Sequence, residues 1–209
     1  SFHSELELED ARIEGGEDGG EVALEQAYLD YRVVETIVIR TGLVLIPVGI
    51  INETHEPPSF NGVARPLFER ELIPTTWREV GVGVAGTAST SAGLTYRLYL
   101  VNGLTADEFS GMNGIRGGRQ SGHEATFANP SLTGRLEWAR PGLRVGGSFW
   151  YGGSAAQDSV LGDGTFDAPV ALVSGDVRFD TGPWSFRGVL AWIGITDAGR
   201  AGMCRARNS

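Results

Sequence analysis

Arginines set directly beside apolar side chains are the chemically informative feature of this chain. Arg97 lies between Tyr96 and Leu98, Arg135 between Gly134 and Leu136, and Arg40 follows Ile39. Arg144, Arg178 and Arg187 repeat the pattern beside Val145, Val177 and Phe186. In an extended strand, neighbouring side chains point to opposite faces. These six guanidiniums therefore share the face opposite the apolar one. Fixed cations on a wet wall attract and orient anions, which is the chemistry of a selective passage rather than of bond breaking. The histidines, His3, His55 and His123, form no nucleophile–base–acid set, and no catalytic residue is assigned. His55-Glu56 lacks the second histidine of a zinc-protease helix, and Pro57-Pro58 forbids that helix. Gly81-Val82-Gly83-Val84-Ala85-Gly86 matches a dinucleotide-binding glycine pattern, but a turn and another strand follow it instead of a helix. Its glycines are better read as strand positions facing a loop plug. The loop acids Asp107, Glu108, Asp163 and Asp167 read as solvated. No metal ligand and no cofactor site is assigned, and the chain is read as a non-enzyme.

The elements that carry these arginines alternate apolar and polar residues over about ten positions. Leu94, Tyr96, Leu98 and Leu100 oppose Thr95, Arg97 and Tyr99; Leu132, Gly134, Leu136 and Trp138 oppose Thr133, Arg135 and Glu137. Nine strands are expected, near 2–13, 21–33, 36–48, 78–88, 93–102, 129–139, 142–152, 168–179 and 184–194. Their connections alternate. Val34-Glu35, Ala88 to Ala92, Arg140-Pro141 and Asp180 to Pro183 are tight; Gly49 to Trp77, Gly103 to Ala128 and Gly153 to Asp167 are long. Tight turns on one side and long loops on the other mark an all-β, antiparallel up-and-down meander that forms part of a transmembrane β-barrel. By parity, Ile37, Ile39, Leu43 and Leu45 face lipid, while Arg40, Arg97, Arg135, Arg144, Arg178 and Arg187 line the lumen. Trp138, Phe179 and Trp184 at the tight turns, with Trp150 and Tyr151 at the other end, are expected to form interfacial girdles.

Composition agrees with this. The 209 residues include 31 glycines, and the 17 basic residues, all arginine, stand against 26 acids for a net charge of −9. An acidic chain of this kind is not a nucleic-acid binder. No stretch reaches the roughly 20 apolar residues of a membrane helix. Cys204 is alone, so no internal disulfide or cysteine metal site forms. Ser1-Phe2-His3-Ser4 runs directly into a strand pattern, and residues 198–209 carry none. The expected organisation is an incomplete barrel domain over 1–197 and an irregular tail over 198–209.

The region from Tyr28 to Gly86 carries a resemblance. It contains Gly42-Leu43, Pro47-Val48-Gly49, Asn52-Glu53, His55-Glu56-Pro57-Pro58 and Arg65-Pro66. Ile73-Pro74-Thr75-Thr76-Trp77 and Glu79-Val80-Gly81-Val82-Gly83 follow. In these features it resembles the Gram-negative outer-membrane porins of the phosphate-selective O and P type. The resemblance implies a 16-stranded, homotrimeric, passive channel in the bacterial outer membrane, with a long loop folded into the pore. Glu53, His55, Glu56, Arg65, Arg70 and Arg78 would belong to that constriction loop. Arg65, Arg70 and Arg78 either face the passage or pair with Glu69, Glu71 and Glu79 to hold the loop's shape. Phosphate selectivity in that family needs lysine as well as arginine, and this chain has no lysine, so phosphate is not carried over. The expected function is diffusion of small hydrophilic, in part anionic, solutes or ions. The lipid bilayer is the expected partner. The alternatives are a non-conducting structural or adhesive barrel and a soluble β-sandwich binding domain.

Overall fold

The computed structural model describes residues 1–9, 21–50, 52–54, 73–74, 76–89, 92–106, 109, 114–122, 125, 127–154 and 168–196. Nine strands run in chain order: β1 (Phe2–Glu9), β2 (Glu21–Val34), β3 (Ile37–Leu45), β4 (Arg78–Ser89), β5 (Leu94–Val101), β6 (Ser131–Arg140), β7 (Leu143–Gly152), β8 (Val170–Thr181) and β9 (Trp184–Ile195). They form one antiparallel sheet in the order β1 to β9, in which every strand pairs with its sequence neighbours. The sheet is open, with β1 and β9 as edges. The expected meander is thus present. The expected first strand reached residue 13; β1 ends at Glu9, and residues 10–20 lie outside the described residues. The tail 198–209 lies outside them too.

Turn chemistry sets the short side. Arg140 pairs with Leu143 across Pro141-Gly142, and Thr181 pairs with Trp184 across Gly182-Pro183. Gly142 and Gly182 have φ of 76° and 55°, a region open to glycine and strained for other residues. These two-residue turns lock the register, and from β5 to β9 the period-2 pattern keeps its faces without a shift; bulges interrupt it between β1 and β2, β2 and β3, and β4 and β5.

The sheet curls around the described parts of its long connections. β3 stops at Leu45, short of the expected residue 48, because the chain turns inward: Ile46, Val48 and Ile50 are buried. With Trp77, Tyr99, Val101, Leu104, Phe109, Ile115, Trp150, Val170 and Leu172 they form a core inside the curve at the long-loop end. Trp77 packs against Trp150 with ring centroids 4.3 Å apart and the planes tilted by 37°. Among the described residues no helix is long and apolar enough to cross a membrane.

The outer face is the reverse of a soluble protein's. Leu190 is 79% exposed, Trp184 67% and Trp192 62%; Leu98, Leu100, Leu136, Val173 and Phe179 are exposed beside them. Meanwhile Arg135, Ser148, Ser174 and Asp176 are buried on the inner face. Three expectations change here. Trp150 is not at a girdle: it points inward and is 1% exposed, because the core at the loop end needs its bulk. Leu43 and Leu45 are buried where lipid contact was expected. Leu43 pairs with Val80, and the chain at Gly122 packs against both side chains. Trp138, Phe179, Trp184 and Tyr151 are exposed as the pattern required.

Candidate functional site

The site lies inside the curve at the tight-turn end. Register places the charged side chains in rows across the strands. Arg97 on β5 stands opposite Arg135 on β6. Arg144 on β7 stands opposite Arg178 on β8, which stands opposite Arg187 on β9. Asp176 occupies the next row, two residues inward along β8. Together these rows border a cavity of about 540 Å³. Its wall carries Arg40, Arg97, Arg135, Arg144 and Arg178 against Asp30, Glu53 and Glu137, with Tyr28, Gly49 and Ile50 among them.

Four of the arginines hold different partners. Arg135 is the most buried: Nη1 donates to Asp176 Oδ2 at 2.6 Å and Nη2 to Asp176 Oδ1 at 2.9 Å. It also donates to Glu137 Oε2 at 3.0 Å and to the Gly49 carbonyl at 3.3 Å. A two-pronged guanidinium–carboxylate pair is the geometry that offsets the cost of burying both charges. Arg178 donates from Nη2 to the Ile50 carbonyl at 2.8 Å. Arg97 pairs with Glu53 at 3.0 Å. Arg40 forms two bonds of 2.8 Å to Asp30 and lies 3.8 Å above the Tyr28 ring. Tyr28 stacks in turn on His3 at 5.1 Å.

Three of the six arginines thus grip one loop. Gly49, Ile50 and Glu53 follow β3 on the inner side of the curved sheet and are held by Arg135, Arg178 and Arg97. The segment is fixed at its base as well. Asn52, in the single turn Asn52–Thr54, donates to the carbonyls of Ile46 (2.7 Å) and Trp77 (2.9 Å) and accepts from Trp77 N–H (2.8 Å). The carboxylate of Glu79 accepts from Trp77 Nε1 (3.1 Å), Asn102 Nδ2 (2.5 Å) and Gln120 N–H (3.3 Å), tying three segments together. Burial pushes the Glu53 carboxyl above its ordinary range, against the pull of Arg97.

The sequence-derived residues fall as follows. Arg40, Arg97, Arg135, Arg144 and Arg178 share the cavity. Arg187 occupies the same row but sits exposed on the edge strand. Glu53 reaches the cavity. Arg78 heads β4 in the register opposite Leu45, on the same face as Val80 and Val82 two and four residues on, and is not part of the cavity wall. Its proposed partner Glu79 is engaged by Trp77, Asn102 and Gln120 instead. His55, Glu56, Arg65 and Arg70 lie outside the described residues, as do the loop acids Asp107, Glu108, Asp163 and Asp167. Among the described residues no three His, Cys, Asp or Glu side chains converge as a metal site would require.

Asp30 and Asn102 were not singled out from sequence, and Asn52 entered only as part of the Asn52-Glu53 feature of the resemblance. The parity rule that placed the arginines would also have put Asp30 inward. Asn102 directly follows β5 and Asn52 lies in the loop after β3, where no period exists to read.

The class these features define is an all-β, single-sheet antiparallel meander whose inner face is polar and whose outer face is apolar. Over 201 residues the chain is 41% identical to an uncharacterized protein of Aquifex aeolicus (strain VF5). The match takes in 94% of this chain and 44% of that protein, so the chain spans less than half the length of its relative. No family model and no solved structure matches it.

Proposed function

We propose that this chain is part of the wall of an outer-membrane β-barrel that lets small hydrophilic solutes diffuse passively, with a preference for anions. The observation that carries the proposal is the inverted dressing of the sheet. Leu98, Leu136, Val173, Val177, Trp184 and Leu190 are exposed on its outer face, and Arg135 and Asp176 are buried on its inner face. In water the outer face would be a liability; in a bilayer it is the contact surface, with aromatics at the headgroup level. Closure needs strands beyond β1 and β9. A relative more than twice the aligned length has room for them. The full-length assembly on this reading is a 16-stranded, trimeric porin of the phosphate-selective O and P kind, without the phosphate specificity.

The passage works by size and field. Gly49, Ile50 and Glu53 narrow the lumen, and five arginines face three carboxylates across it. The excess of guanidinium favours anions. Purified full-length protein in planar bilayers tests the proposal: stepwise ion current with reversal potentials on the anion side is expected. Complete absence of current would overturn it.

One observation favours a second reading, a non-conducting structural or adhesive barrel. The long-loop end is filled by the apolar core around Trp77 and Trp150. The same bilayer experiment separates the two, since the fold is shared and only conductance differs.

A further inference from the structure

Arg178 is short of acceptors. Its neighbour along the strand, Asp176, is fully engaged by Arg135. Its cross-strand neighbours on both sides, Arg144 and Arg187, carry the same charge. Like charges directly opposite one another destabilise a sheet. Arg178 donates to one neutral acceptor, the Ile50 carbonyl, and its Nε–H is buried without an acceptor. Arg144 reaches the same cavity, is exposed, and forms no ion pair among the described residues.

We propose that the Arg178–Ile50 bond is a displaceable tether. An oxyanion that bridges Arg144 and Arg178 takes the guanidinium from the Ile50 carbonyl and releases the loop into a wider-open position. The exchange is favourable because a guanidinium binds an anionic oxygen pair more strongly than one neutral carbonyl. It also removes the repulsion between the two facing cations. The released segment keeps its anchors at Asn52 and at Arg135, so the change is a shift of the tip rather than unfolding. The solute class that the passage favours would then open its own way. The inference rests on the lumen reading above and adds a regulatory step to it.

Amide hydrogen exchange of residues 48–53 in the detergent-solubilised full-length protein tests this, with sulfate compared against chloride at matched ionic strength. Sulfate is expected to speed exchange about fivefold, the effect of roughly 1 kcal/mol between the two kinds of acceptor. Arg144→Gln touches no loop contact, so its exchange in chloride should equal wild type while the sulfate response is lost. Arg178→Gln should exchange fast in both salts. Unchanged wild-type exchange in sulfate, or a full response in Arg144→Gln, overturns the tether. Neither outcome depends on current, so a barrel that fails to conduct but shows the sulfate response sinks only the channel reading.

Discussion

The same five strands line two unlike regions. Toward the long loops, β5, β6, β7, β8 and β9 point Val101, Ser131, Trp150, Leu172 and Ile193 inward, and these pack on loop residues. Toward the tight turns, the same inner faces carry Arg97, Arg135, Arg144, Asp176, Arg178 and Arg187. On β8 the change takes place within one strand: Val170 and Leu172, then Ser174, then Asp176 and Arg178. The pleat decides which side a residue faces, but not whether that side is dry. What decides dryness is the length of the connection above it. Loops long enough to fold back cover one half with apolar side chains. Two-residue turns cannot, and the other half must be made of groups that tolerate water and each other.

The charged half is held together by its pairs, and breaking one should have the largest effect. Asp176→Ala removes the two-pronged partner of the buried Arg135 and leaves it only Glu137 and the Gly49 carbonyl as acceptors. A loss of about 3–5 kcal/mol is expected, read as an earlier transition in urea unfolding of the detergent-solubilised protein. Replacing both, Arg135→Met with Asp176→Leu, should recover most of that loss, because a buried pair is at best a small net stabiliser against an apolar substitute. If the double variant is as unstable as the single one, the pair contributes more than geometry.

Trp150→Ala acts on the dry half. It removes the ring against Trp77 and leaves a void in the core; about 3 kcal/mol is expected from such a truncation. The useful readout is different from that for Asp176. On the channel reading, conductance should rise as the core at the long-loop end loosens, while charge selectivity stays as it was, since no charged group has moved. A change of selectivity would mean that the two halves are not separable.

The fold was legible in sequence because both of its rules are local. Alternation and turn length together located all nine strands, and parity put five arginines at one cavity. The loops were less legible. Trp150 was assigned to an interface on its position near a strand end, yet its own parity with Ser148 places it inward. Whether an inward tryptophan is core or lumen depends on what a distant loop brings to it, here Trp77. The arginines' task was half visible. Their side was evident, but that Arg135 and Arg178 bind main-chain oxygens of Gly49 and Ile50 depends on a loop path with no periodicity.

Glu53 lies where the two halves meet, and its titration sharpens the boundary. Burial raises its carboxyl above the ordinary value of 4.5. An acid whose folded value is raised binds its proton earlier in the folded state than in the unfolded one. The group therefore costs stability as pH rises above 4.5 toward the folded value, and acidification through that window removes the cost. Protonation also frees Arg97 from its 3.0 Å pair. On the channel reading, anion preference should thus grow as pH falls through the window above 4.5, by roughly twofold for one uncompensated charge. Glu53→Gln should hold the acid-side selectivity at neutral pH and flatten the profile there. A profile unchanged by the substitution would assign the titration to another carboxyl.

The smallest expected effect tests the faces themselves. Gly146 and Gly147 are neighbours on β7, one inward and one outward. A Cβ at Gly146 would run into the Arg135 guanidinium and the Asp176 carboxylate; at Gly147 its nearest neighbour would be the Ser174 carbonyl oxygen at 3.9 Å, ordinary contact. Neither residue has a positive φ that demands glycine. Gly147→Ala should therefore change stability by less than about 1 kcal/mol, with any change favourable because glycine is a poor strand residue. Gly146→Ala should cost much of what Asp176→Ala costs, since it displaces the same pair. Adjacent, chemically identical substitutions with opposite outcomes require that one face be packed around charge and the other open. Equal outcomes in urea unfolding would contradict that division of the wall.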